Sequence, residues 1–185
     1  ISERRSQLLF KNFLLVECNA NGCIEVQPTV AVDSVPNNQL PFAFIFTGQG
    51  AHYVGMGKQL LEHNRSFTGT IQRLDDVLRS LSTSIAPQWT LVQTILDPAE
   101  TSQISHVTRS QPVCTAIQIG LVNMLREWGI QPAAVVGHSS GEIAGAYAAG
   151  LVNEAQAILA AYFRGMAAGS VDKEGAMMAA GISFE

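Results

Sequence analysis

The apolar residues of this chain change their spacing several times, and each change predicts an element. Phe42-Ala43-Phe44-Ile45-Phe46 is a continuous apolar run of strand length, suited to a strand covered on both faces, and Thr47-Gly48-Gln49-Gly50 ends it. Between Ser66 and Leu81 the apolar positions Phe67, Ile71, Leu74, Leu78 and Leu81 recur at helical spacing, which predicts an amphipathic helix. A second helical stripe, Val113, Ile117, Leu121, Met124, Leu125 and Trp128, runs to Gly129, with Ser110 as its expected cap and Pro112 in its first turn. Ala133-Ala134-Val135-Val136 then reads as a short buried strand, and Gly141 to Ala149 as a helix rich in Ala and Gly. Asn153 is placed to cap a further helix through Ala168, which carries Ile158, Leu159, Tyr162, Phe163 and Met166. Ala176-Met177-Met178-Ala179-Ala180 closes the series as another expected strand. Strands alternating with helices predict an α/β fold, a mostly parallel sheet with flanking helices.

The first forty positions read differently. Phe13 to Glu17 and Cys23 to Val26 are short β-prone runs around Asn21-Gly22, a hairpin-type turn signal. The cluster Pro36-Asn37-Asn38-Gln39-Leu40-Pro41 follows, with the composition of a linker. We therefore expect residues 1–40 to be a linker segment ahead of a main domain over residues 41–185.

Composition narrows the function. With 185 residues, the chain is long enough for one domain with a real core or for a large piece of a bigger protein. Its 47% hydrophobic and 14% charged residues are those of a soluble globular protein. The net charge of −4, with no Lys/Arg run longer than Arg4-Arg5, argues against nucleic-acid binding. No stretch approaches the ~18 consecutive apolar residues of a membrane span, so no membrane partner is expected. Cys18, Cys23 and Cys114 lack metal-type spacing, which predicts free thiols in a reducing compartment and no metal site. The N-terminus Ile-Ser-Glu-Arg-Arg has neither an initiator methionine nor the apolar core of a signal peptide. The expectation is a chain that begins inside a longer, cytoplasmic polypeptide.

The chemistry concentrates at Gly137-His138-Ser139-Ser140-Gly141, which fits the pattern Gly-x-Ser-x-Gly. A nucleophile elbow sets its serine on a tight strand-to-helix turn, where the helix N-terminus offers N–H groups and positive dipole to an oxyanion. The strand before Ser139 and the slim helix after it meet that requirement, although Ser139 could also serve as a simple helix cap. His138, adjacent to the serine and expected on the other side of the turn, reads as a structural histidine rather than the base. The second glycine turn, Thr47-Gly48-Gln49-Gly50-Ala51, also follows a strand and is not a phosphate loop, because no Gly-Lys-Ser/Thr follows. The backbone N–H groups of Gln49 and Ser140 could together form an oxyanion hole.

Three stretches together, Phe46-Thr47-Gly48-Gln49-Gly50-Ala51-His52-Tyr53-Val54-Gly55-Met56-Gly57, Thr108-Arg109-Ser110-Gln111-Pro112 and Gly137-His138-Ser139-Ser140-Gly141-Glu142, resemble the acyltransferase domain of polyketide and fatty acid synthases. This is the family of malonyl-CoA:acyl carrier protein transacylases, and the resemblance covers about residues 42–185. The opening Ser2-Glu3-Arg4-Arg5-Ser6 is similar to the linker ahead of this domain in fungal reducing polyketide synthases. The resemblance implies a hydrolase-like core in which Ser139 carries malonyl as an ester, with Gln49 and Ser140 giving the oxyanion N–H groups. It further implies that Arg164 holds the substrate's free carboxylate, and that Gln111 lines the pocket. Malonyl-CoA would be the substrate, with no bound cofactor. The phosphopantetheine arm of an acyl carrier protein domain would receive the acyl group, beside neighbouring synthase domains. His52 stands where the family usually has a second glutamine.

The family's base histidine and its ferredoxin-like subdomain lie well beyond the serine, whereas His52, His63, His106 and His138 all precede or adjoin it. The resemblance therefore implies a chain truncated before both, incomplete for catalysis by itself. Two alternatives stand beside this reading. A serine esterase or thioesterase would use the same elbow but give Arg164 no task, and a catalytically inactive fragment would use neither.

Overall fold

The computed structural model describes residues 41–171, together with two short strands, β1 (Leu15–Cys18) and β2 (Ile24–Gln27). The chain divides into two compact units, Ile1–Pro41 and Phe42–Glu185. In the first, β1 and β2 pair antiparallel with Val16 opposite Val26. The Asn21-Gly22 turn signal, the Pro/Asn cluster 36–40 and the expected strand 176–180 lie outside the described residues.

The second unit is α/β. It runs β3 (Ala43–Phe46), α1 (Lys58–His63), α2 (Arg65–Arg79), α3 (Leu91–Leu96), α4 (Val107–Glu127), β4 (Ala134–Gly137), α5 (Gly141–Ala148) and α6 (Glu154–Gly169). β3 and β4 pair in parallel, with Ala43 opposite Ala134 and Phe46 opposite Gly137. Helix α4 is the hub, packed against α2, α3, α5 and α6. Phe67, Ile71, Leu74 and Leu78 of α2, Ile119 and Val122 of α4, and Ile158 of α6 are all buried. That agrees with the helical spacing of the apolar positions in α2.

Three expectations are corrected. Neither strand is covered on both faces by the described residues. Phe44 and Phe46 turn inward, but the register partners Ile45 and Val136 are 77% and 57% exposed. Helix α5 packs on β3 and β4, and the alternation along β3 is that of a half-covered strand. The start of α4 also differs. It begins at Val107, with His106 in the cap position, so Ser110 and Pro112 are buried inside the helix rather than at its end. Ser110 caps nothing and its buried Oγ has no partner among the described residues. Packing decides this. Gly165 of α6 lies against Val107 and Thr108, and that crossing favours an extra turn despite the proline's missing N–H. At the other end, Trp128 is 58% exposed rather than part of the buried stripe.

Candidate active site

Parallel pairing carries β3 and β4 to the same edge, so the turns that follow them meet. His138 N–H donates to Phe46 C=O at 3.0 Å, and the chain then reverses through Gly141 N–H to His138 C=O at 2.9 Å. Ser139, on this reversal, has φ 54°, and no other non-glycine among the described residues has positive φ. Left-handed backbone costs an L-residue about 1–2 kcal/mol, and held strain of this kind is a feature of nucleophile elbows. Close approach makes three glycines necessary, Gly48, Gly137 and Gly141, and a Cβ on Gly137 would run into the backbone of Glu142. A Cβ on Gly141 would run into Phe46 C=O, and one on Gly48 would lie 2.6 Å from His138 O and 2.9 Å from Ser139 Cβ.

Gln49 and Ser140 flank the serine as the two amide positions of interest. Among the described residues neither N–H donates a hydrogen bond, so both are uncommitted. Ser140 is also the cap residue of α5, whose first turn carries Glu142. Near this helix N-terminus the dipole favours negative charge.

The side chains converge from three helices and turns. Arg164 on α6 donates from Nη2 to Ser139 Oγ at 3.4 Å and from Nη1 to Gln111 Oε1 at 2.6 Å. Gln111, buried on α4, donates from Nε2 to Gln49 Oε1 at 3.3 Å. A continuous chain Ser139, Arg164, Gln111, Gln49 thus joins elbow to glycine turn, and it contains all the predicted side chains. The sequence reading missed two parts of it. The side chain of Gln49 takes part, not its backbone alone, and Gln118 Nε2 anchors the turn by donating to Thr47 C=O at 2.9 Å. Gln111 and Gln118 are seven positions apart in α4, two helical turns on one face, and that spacing was the available signal.

None of the four histidines hydrogen-bonds to Ser139. His52 Nδ1 accepts from Gly50 N–H at 3.4 Å, His63 pairs with Gln59 C=O, and His106 pairs with Thr108 Oγ1. His138 is exposed beside the elbow. Cys114, one turn along α4 from Gln111, is a free thiol pushed up to about 11 by burial, and so is not an available thiolate. Among the described residues no cluster of His, Cys, Asp or Glu could hold a metal ion, and no helix is long and apolar enough to cross a membrane.

A serine strained on a strand-to-helix turn, two amides without acceptors among the described residues and an arginine beside the hydroxyl thus lie together at one edge of the sheet. Residues 43–184 match the family described as the acyl transferase domain, and the chain belongs to that family. The highly reducing polyketide synthase fogA of Aspergillus ruber is 56% identical over 185 residues, covering 100% of this chain and 8% of that protein. The chain thus spans about 8% of the length of this curated relative. Among solved structures, the acyltransferase domain from module 8 of the salinomycin polyketide synthase is 30% identical with a TM-score of 0.62, covering 70% of this chain and 30% of that one. The malonyl-CoA:ACP transacylase of Synechocystis sp. PCC 6803 is 28% identical with a TM-score of 0.61, covering 71% of this chain and 41% of that one.

Proposed function

We propose that this region loads malonyl, or a related extender unit with a free carboxylate, from coenzyme A onto Ser139. The acyl group then passes to the phosphopantetheine thiol of an acyl carrier protein during polyketide assembly by a larger synthase. The reading rests above all on Arg164 Nη2 lying 3.4 Å from the Oγ of a serine held at φ 54°. It draws further support from the transacylase and synthase relatives.

In this mechanism a base takes the Ser139 proton while Oγ attacks the thioester carbonyl. The N–H groups of Gln49 and Ser140 receive the oxyanion, a contribution of about 3–4 kcal/mol per donor at such sites. The C–S bond breaks, coenzyme A leaves as the thiol, and malonyl remains as a serine ester. The carrier thiol then attacks that ester and regenerates Ser139. Arg164 pairs with the malonyl carboxylate, for which a planar guanidinium is suited. An arginine does not deprotonate in proteins, so it is not the base. We place the base outside the described residues, as the histidine of the family's later segment.

Mass spectrometry of the intact synthase mixed with malonyl-CoA tests this. One malonyl ester should appear on the peptide containing Ser139 and vanish in Ser139→Ala; no adduct on the unaltered protein sinks the proposal. Arg164→Ala should lower malonyl loading by roughly 10–100-fold, the value of a hydrogen-bonded charge pair, while sparing uncharged acyl groups. A hydrolase of neutral esters would keep its rate in that variant.

A further inference from the structure

Gln111 is a polar side chain only 2% exposed, and both ends of its amide are used. Arginine has donors only, so the atom facing Arg164 Nη1 must be Oε1. Nε2 then necessarily faces Gln49 Oε1, and the amide has a single orientation. Arg164, an exposed side chain with large rotamer freedom, is thereby tied to a fixed acceptor.

The acceptor is also uncharged. Arg73 pairs with Glu154 at 3.0 Å and Arg79 with Asp76 at 2.8 Å, whereas among the described residues no carboxylate pairs with Arg164. A glutamate at position 111 would reach the same guanidinium and neutralise it. The amide aims the group without doing so.

We propose that Gln111 is a neutral positioning residue, which holds the Arg164 guanidinium beside Ser139 without itself neutralising the charge and so makes the site select acyl groups bearing a free carboxylate. This inference rests on the acyl-loading reading above and assigns its selectivity to a residue pair rather than to Arg164 alone. Gln49 completes the brace from the glycine turn, which couples the aim of the carboxylate clamp to the position of the proposed oxyanion donor.

Steady-state loading of malonyl and of acetyl by the intact synthase, with thermal unfolding recorded for each variant, tests the brace. Gln111→Glu should raise the malonyl KM and lower the malonyl-to-acetyl ratio of kcat/KM by at least about tenfold, because a charge-assisted bond is lost to an internal pair. Gln111→Met, similar in length but without charge or hydrogen bonds, should raise the malonyl KM only severalfold and lower the malonyl-to-acetyl ratio less than Gln111→Glu does. Equal ratios in Gln111→Glu and the unaltered protein, or equal losses in the Glu and Met variants, overturn the proposal. Should Gln111→Glu fail to fold, an unchanged malonyl KM in Gln111→Met overturns it and a raised one supports it. Arg164→Ala separates the two levels. If it drops the ratio while Gln111→Glu does not, the brace alone falls; if neither changes it, the acyl-loading reading falls as well.

Discussion

Ser139 is where local strain and the proposed chemistry coincide. Its φ of 54° is tolerated because Gly48 and Gly141 leave room for the turn to close on β3. Glycine pays no steric penalty in this region, whereas alanine pays about 1 kcal/mol or more. Ser139→Gly should therefore be more stable than Ser139→Ala by about 1 kcal/mol, the reverse of the order in a helix interior. Denaturant unfolding measures this directly, and a more stable Ser139→Ala would show that the elbow is relaxed.

Among the elements, α6 matters most, because it delivers Arg164. Asn153 Oδ1 accepts from Gln156 N–H and Gln156 Oε1 accepts from Asn153 N–H, both at 2.9 Å, a closed capping box. Thr90 and Gln93 make the same box on α3. Asn153→Ala should cost about 1 kcal/mol in chemical denaturation. The proposed acyl loading, measured per folded molecule, should stay unchanged, since Arg164 lies three turns from the cap and is held by Gln111. Reduced loading in fully folded Asn153→Ala would mean that the first turn of α6 governs the position of the arginine. The cap at Asn153 is legible in the sequence. The true start of α4 is not, because it depends on the close approach of α6 at Gly165.

Across the molecule, one polar network ties α2, α4, α5 and α6 together. Glu154 accepts from Arg73 Nη2 at 3.0 Å and Asn123 Nδ2 at 2.7 Å, and Tyr147 OH donates to Asn123 Oδ1 at 2.5 Å. Burial pushes the Glu154 carboxyl up, but the hydrogen bonds from Arg73 and Asn123 outweigh it and hold the group below its ordinary value. A carboxyl lowered on folding stabilises above its unfolded pKa and loses that contribution as pH falls through the folded one. Glu154→Gln should therefore be less stable near pH 7, by about 1 kcal/mol given the exposure of Arg73. The gap should close as the solution is acidified below the usual carboxylate range. A gap independent of pH, measured by thermal unfolding across that range, would contradict the assignment. Asp75 moves the opposite way. Burial raises its carboxyl despite hydrogen bonds from Leu91 and Val92 N–H, but it is common to both proteins and cancels from the difference.

The sequence alone determined the features that depend on near neighbours. Helical periodicity in Phe67, Ile71, Leu74 and Leu78, the cap at Asn153, and the Gly-x-Ser-x-Gly turn all act within about one turn of chain. Tertiary structure decided what depends on distant packing. Which elements cover the faces carrying Ile45 and Val136 is one such matter, because covering a face requires an element from elsewhere in the chain, and none of the described residues does so. Tertiary structure also brought Gln49, Gln111, Ser139 and Arg164 into one hydrogen-bonded chain across separations of 62, 53 and 25 positions. No local propensity encodes those distances. They follow from the parallel pairing of β3 with β4 and the packing of α6 on α4.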